Sequence, residues 1–299
     1  MLRAMDERKT TKDFDQELLH LYDEYVHGGV DRRGFLDRAA KFAVGGVTAA
    51  MLLGQLSPRF AEAQQIKPDD GRLKTERATY PSPNGTSKTS GYLVRPAKAT
   101  GKLPGVLVVH ENRGLNPHIE DIARRLAVDN FMAFAPDALA ALGGYPGDED
   151  KARALFPQLD QAKTREDFIA AATWLKNRPD CTGKIGAVGF CYGGGIVNML
   201  ATKLPDLAGA VPFYGNQPSD EDTAKIKSPM LIHYAENDQI TTRGPKFEEA
   251  LKAAHVDYQM YTYKGTQHGF NNDTTPRYDA DAAKLAWTRT IEFFNKHLR

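Results

Sequence analysis

From Gln64 onward, short runs rich in β-branched and aromatic residues alternate with stretches whose apolar positions recur every three and four residues. The short runs predict strands at 74–80, 89–95, 105–110, 131–136, 184–190, 208–214, 230–234 and 258–263. The longer stretches predict helices at 117–129, 163–176, 192–203, 245–254 and 280–298. The first two strands adjoin directly and predict an antiparallel start, whereas the later ones alternate with helices, as a parallel sheet requires. Val106-Leu107-Val108-Val109 and Ile185-Gly186-Ala187-Val188 are continuously apolar, the pattern of central strands covered on both faces. The expected class is α/β, a mostly parallel central sheet with an antiparallel N-terminal start and helices on both faces. Ligands in such sheets bind at the carboxyl ends of the strands. His110-Glu111, Asp137, Cys191, Asn237-Asp238 and His268 fall there.

Before Gln64 the pattern changes. Phe14, Leu18, Leu21, Tyr22 and Tyr25 recur at helical spacing, the mark of a helix that docks on a partner or folds back. An uncharged run from Phe42 to Leu56 follows Arg32-Arg33-Gly34-Phe35-Leu36. It is shorter than the ~20 residues that span a bilayer as a helix. A paired arginine, Phe-Leu and a weakly hydrophobic Gly/Ala-rich stretch resemble a twin-arginine signal, and Ala61-Glu62-Ala63 supplies a small-x-small cleavage pattern. A buried helix or an uncleaved anchor is the competing reading. The division expected is residues 1–63 as an export segment and residues 64–299 as one α/β domain. The signal resemblance implies a periplasmic or exported protein, the twin-arginine export machinery as a partner, and membrane contact only through the signal segment.

Charge narrows the partners. Lysine and arginine total 39 against 38 acids among 299 residues, so no overall basic field exists to hold a nucleic-acid backbone. The 2 cysteines, Cys181 and Cys191, lack the paired spacing of a structural zinc site, and no metal or other cofactor is expected. With Ile185 to Phe190 extended at ~3.3 Å per residue, they lie ~20 Å or more apart, beyond the ~7 Å Cα reach of a disulfide.

Gly189-Phe190-Cys191-Tyr192-Gly193-Gly194-Gly195 follows a buried strand and opens a helix. This is the setting of a G-x-S-x-G nucleophile elbow with cysteine in place of serine. The glycines remove side chains that would collide at a sharp reversal, and the helix aims its positive end at the nucleophile. A buried apolar cysteine and a phosphate-binding glycine loop are the bland alternatives. An ordinary thiol has a pKa near ~8.5 and needs a base beside it. His268, in a glycine-flanked loop after the last strand, supplies one, and Asp238 follows the strand at 230–234, with Glu236 as its rival. Nucleophile, acid, histidine is the chain order of α/β-hydrolases. His233 reads as a core residue and His255 and His297 as solvated. His20 and His27 precede the signal, and His110 and His118 border the site.

Taken with His110-Glu111 and His268-Gly269-Phe270, this pattern resembles the dienelactone hydrolase (carboxymethylenebutenolidase) family over essentially all of the region after residue 63. The resemblance implies an α/β-hydrolase fold and hydrolysis of a small-molecule ester or lactone. It implies Cys191 as nucleophile, His268 as general base and then acid, Asp238 as orienting carboxylate, and Glu111 as an aid to thiol deprotonation. It also implies an oxyanion hole from the backbone NH groups of Tyr192 and Asn112. Two arginines that clamp the substrate carboxylate in the family are replaced here by Ala141 and Asn272. Arg113 and Arg277 are candidate substitutes, with surface ion pairs as their alternative role. A thioesterase or peptidase-like acyl hydrolase, and a binding protein on the same fold, are the alternative functions.

Overall fold

The computed structural model describes residues 9–299. Among them, β1 (Leu73–Ala78), β2 (Gly91–Pro96), β3 (Leu103–Val109), β4 (Met132–Pro136), β5 (Cys181–Phe190), β6 (Gly209–Phe213), β7 (Met230–Asn237) and β8 (Tyr258–Gln267) form one sheet, ordered β1-β2-β4-β3-β5-β6-β7-β8. β2 runs antiparallel to both β1 and β4, and the remaining pairs are parallel. The helices are α1 (Gln16–Val26), α2 (Arg32–Ala39), α3 (Ala49–Leu56), α4 (Phe60–Ala63), α5 (Pro117–Val128), α6 (Glu149–Leu155), α7 (Gln161–Lys176), α8 (Tyr192–Lys203), α9 (Asp220–Thr223), α10 (Gly244–Ala253) and α11 (Ala280–Leu298).

The continuous apolar runs fill both faces because alternate residues point in opposite directions. Leu107 and Val109 of β3 pack with Phe168 and Leu175 of α7 and Val197 and Leu200 of α8. Val106 and Val108 join Ile119, Ile122 and Leu126 of α5 and Phe293 and Phe294 of α11. Local signals set the helix starts. Asn116 accepts the Ile119 amide ahead of Pro117, and Asp160 and Asp279 cap α7 and α11 in the same way. From β3 the chain passes through α5 to β4 on one side and later through α7 to β5 on the other. The carboxyl ends of β3 and β5 therefore flank the topological switch point, where such sheets hold their ligands.

The α/β-hydrolase fold is the one expected, and α8 and α11 keep their predicted limits. The short α6 and α9, 7 and 4 residues long, were not anticipated, since neither is long enough to show a helical period.

The N-terminal segment folds back. α1 buries Leu18, Leu21, Tyr22 and Tyr25 against Phe35 of α2 and Leu52, Leu53 and Leu56 of α3. The apolar run at 42–56 is thus split between a loop and an eight-residue helix. Among the described residues no helix is long and apolar enough to cross a membrane. The segment is tied to the domain by polar contacts. Arg32 pairs with Asp150 at 2.7 Å, Tyr25 donates to the same carboxylate, and the Arg59 amide donates to Thr274 O at 2.8 Å.

Candidate active site

The reversal from β5 into α8 places Cys191 at φ +55°, ψ −113°, a left-handed conformation that a side-chain-bearing residue adopts only when its surroundings impose it. The glycines on either side are what make the turn possible. A Cβ at Gly189 would lie 2.2 Å from the Gly193 carbonyl oxygen, and one at Gly193 would lie 2.3 Å from that of Val109. Cys191 consequently sits at the amino end of α8, beside the first-turn amides that have no partner inside a helix. Tyr192 opens α8, and Asn112 lies in the loop after β3, so the two residues expected to form an oxyanion hole follow the two strands of the switch point. Both cysteines are free thiols, as expected.

His268 and Asp238 arrive from the far half of the sheet. Asp238 follows β7, His268 follows β8, and the His268 Nδ1–H donates to Asp238 Oδ2 at 2.7 Å, with both side chains about 5% accessible. That bond directs His268 Nε2 toward Cys191, and Nε2 is buried with no hydrogen-bond partner. Glu236, the rival acid, is exposed and instead accepts the Gly265 amide at 2.8 Å. Glu111 lines a small cavity with Cys191 and His268 and accepts from Asn272 Nδ2 at 2.9 Å.

A third group at the sulfur was not anticipated. His27, the residue that ends α1, places Nε2 at 3.5 Å from Cys191 Sγ. Its Nδ1–H donates to Asp23 O at 2.8 Å, and the Asp23 carboxylate is 3.3 Å away. Asp23–His27 thus mirrors Asp238–His268 across the thiol. Sequence spacing carries no sign of this, because His27 lies 164 positions before Cys191 and only the folding back of α1 unites them. The helical stripe from Phe14 to Tyr25 was the signal available.

The charges are mutually supporting. Burial by itself would raise the Cys191 pKa, but the positive fields of His268 and His27 bring it down to about 6. Burial likewise opposes the charged form of His268, yet the facing thiolate and the Asp238 bond raise its pKa to about 10. His27 is raised for the same reasons, with the Asp23 bond in place of Asp238. Each of the three groups thus favours the charged form of the others.

Arg113 and Arg277 are both buried, at 6% accessibility, and each has a carboxylate partner, Glu149 at 3.8 Å for Arg113 and Asp23 at 2.8 Å for Arg277, so the ion pairs expected as their alternative role are present. Both line the cavity beside Cys191, and α1 occupies both. Arg277 Nη1 donates to Asp23 Oδ1 at 2.8 Å, and Arg113 Nη2 donates to Val26 O at 2.9 Å. With α1 docked, the cavity over Cys191 holds only about 50 Å³. Of the two positions that carry arginine in the family, Asn272 is in this cavity and Ala141 is not.

Three further histidines have structural partners, whereas His297 Nε2 is buried without a hydrogen-bond partner, contrary to the solvated position expected of it. His110 accepts the Ala138 amide on Nε2 and donates from Nδ1 to Glu111 O, which shapes the loop carrying Glu111. His118 pairs with Asp273 at 3.2 Å. His233 is fully buried between Tyr263 and Thr290, the core role expected of it, and burial lowers its pKa to about 3.

The family model of the dienelactone hydrolase family matches residues 89–298, and that of the YqhI-like family matches residues 5–41. An Escherichia coli protein named "Putative hydrolase fragment" is 54% identical over 114 residues, 38% of this chain and 97% of its own length. A Synechocystis protein named "Putative carboxymethylenebutenolidase" is 30% identical over 246 residues, 76% of this chain and 98% of its own. Among solved structures, the "Putative Dienelactone Hydrolase" of Klebsiella pneumoniae superposes with a TM-score of 0.66 at 26% identity, covering 75% of this chain and 99% of that one.

Proposed function

Because this chain belongs to the dienelactone hydrolase family and hydrolyses carboxylic esters or lactones, we propose that it does so through a thioester acyl-enzyme formed on Cys191. The observation that carries this reading is the His268–Asp238 pair, 2.7 Å long, which turns an unpartnered Nε2 toward a thiol at the strained elbow. The Cys191 thiolate attacks the carbonyl carbon, and the backbone amides of Tyr192 and Asn112 hold the developing oxyanion. The C–O bond breaks as protonated His268 gives its proton to the leaving oxygen, and a thioester remains. His268 then takes a proton from water as the water oxygen attacks the thioester, the C–S bond breaks, and the thiolate returns. Asp238 keeps His268 in the tautomer that presents Nε2. Glu111, held by Asn272, is placed to take the proton of any neutral thiol as substrate arrives.

A cavity of about 50 Å³ is far below the ~300 Å³ or more of ordinary small-molecule sites. The acyl group therefore reaches Cys191 only after α1 has moved off the elbow. Its departure frees Arg277 from Asp23, while Arg113 loses Val26 but keeps Glu149 at 3.8 Å, and the released Arg277 then faces the substrate, which suits an ester or lactone that carries a carboxylate. The 1–63 segment is also proposed as the twin-arginine export signal, with a periplasmic product of about 236 residues from Gln64. Amino-terminal sequencing of the exported protein tests that assignment.

The test of the chemistry is mass spectrometry of protein quenched during turnover of an aryl ester. An acyl adduct on Cys191, absent in Cys191→Ala together with the activity, is expected. Full activity in Cys191→Ala would end the proposal.

A further inference from the structure

We propose that His27, Cys191 and His268 form a binding site for one zinc-like divalent ion, complete only while the N-terminal segment is docked. Their nearest donor atoms all lie within 4.8 Å of one another. In a tetrahedral zinc site, Zn–N bonds of ~2.0–2.1 Å and a Zn–S bond of ~2.3 Å separate nitrogen from sulfur by about 3.5 Å. His27 Nε2 and Cys191 Sγ are 3.5 Å apart. The catalytic pair alone would offer two ligands, and α1 brings the third.

The outer contacts are those a metal-binding histidine needs. Each ring donates its Nδ1–H to an acceptor, His268 to the Asp238 carboxylate and His27 to Asp23 O with that residue's carboxylate alongside. Such bonds hold each ring so that Nε2, once its proton has left, presents its lone pair to a metal. His268 Nε2 is buried and unpartnered, as an unfilled ligand would be. One thiolate and two imidazoles select zinc, cobalt or copper over magnesium or calcium. Cys191 and His268 also line the small cavity beside Glu111, which has room for a water or a small anion as a fourth ligand. His27 keeps about a third of its side chain accessible, which gives the ion a way in.

Metal binding takes the sulfur as thiolate and both Nε2 atoms unprotonated, so Cys191–S⁻ plus M²⁺ gives Cys191–S–M⁺ while the protons held on the two Nε2 atoms leave to solvent. The ion therefore withdraws the sulfur from chemistry and ties α1 to the elbow. The inhibitory consequence rests on Cys191 being the nucleophile, whereas the binding itself does not.

The test titrates full-length, chelator-treated protein with Co²⁺ alone. One equivalent should produce tetrahedral d–d absorption and a thiolate-to-cobalt charge-transfer band. Cys191→Ser should lose the charge-transfer band, and His27→Gln and His27→Ala should each weaken binding by at least ~100-fold, the upper end of what outer-contact losses cost. Asp23→Asn should weaken it by about tenfold. Absence of these bands in protein whose circular dichroism is native overturns the site, as does unchanged affinity in both His27 variants. In parallel, Zn²⁺ should inhibit hydrolysis of an aryl ester by the full-length protein, reversibly with chelator, and inhibit the His27 variants only at far higher concentration. If Cys191→Ala still hydrolyses the ester while the wild-type cobalt spectrum appears, the nucleophile assignment fails and the metal site stands.

Discussion

The rings of His27 and His268 meet edge to face at 4.7 Å between centroids, although 241 positions separate them in the chain. One ends a helix that precedes the α/β domain, the other follows its last strand, and Cys191 lies against both. Access to the thiol, its charge state and the placement of the N-terminal segment are consequently linked.

The first consequence is a pH profile. The Cys191 pKa lies at about 6, so the reactive thiolate is lost only as pH falls through that value. In chelator-treated protein, alkylation of Cys191 by iodoacetamide should rise around pH 6, well below the ~8.5 of an ordinary thiol. His27→Ala and His268→Ala each remove a cation facing the sulfur, and each should move the midpoint toward the ordinary value. A wild-type midpoint already near ~8.5 would contradict the two-imidazolium arrangement. Cys181 gives a useful contrast within the same chain, since burial raises its pKa and no histidine faces it.

Removing residues 1–63 separates two roles for α1. If docking of α1 blocks access, the apparent affinity for substrate is reduced by the fraction of molecules in which the site is open. A chain beginning at Gln64 retains the amides of Gln65 and Ile66 that donate to Asp121, and so keeps its anchor on α5. Its kcat/KM for a bulky aryl ester should rise by about tenfold or more, corresponding to an open fraction of at most about one tenth in the full-length protein. An unchanged or lower value in truncated protein with native circular dichroism would show that α1 does not obstruct the substrate.

Asp238→Asn keeps the size of the side chain but lets the amide hold His268 in the wrong tautomer. In comparable triads this costs on the order of 10⁴ in kcat. A fall of 10³ to 10⁴ with little change in KM is expected from steady-state kinetics. Glu236→Gln should change kcat by less than about threefold, because Glu236 contacts the Gly265 backbone and not the imidazole. Equal losses in the two variants would reopen the choice of acid.

How much of this was legible in the sequence depends on how local each feature is. The sheet was readable because Val106 to Val109 and Ile185 to Val188 are apolar at every position, a pattern that only strands covered on both faces tolerate. The elbow was readable because its steric demand falls on residues two positions from Cys191. Asp238 and His268 could be proposed from their places after β7 and β8, as chain order carries that information. His27 could not, since it is one histidine behind an amphipathic helix, and its partner is chosen by how α1 docks. The same applies to Arg113 and Arg277. Their positions near the site loops were visible, whereas their engagement by Val26 and Asp23 is a tertiary fact.

The elbow itself can be tested through stability. Adding a methyl group at Gly193 places a Cβ 2.3 Å from the Val109 carbonyl oxygen and 2.6 Å from that of His110, both backbone atoms of the central strand end. Neither can move without breaking the β3–β5 register that continues to Val109↔Gly189. Gly193→Ala should therefore destabilise the fold by about 3 kcal/mol or more, at the high end for a single methyl group. Gly195→Ala is the control in the same turn of α8. Its Cβ would meet nothing closer than the Asn216 backbone nitrogen at 3.6 Å, an ordinary contact, and alanine is the better helix former by up to about 1 kcal/mol. Urea unfolding followed by circular dichroism should show a large loss for Gly193→Ala and none for Gly195→Ala. Similar stabilities for the two would mean that the close approach of α8 to β3 does not constrain the turn that presents Cys191.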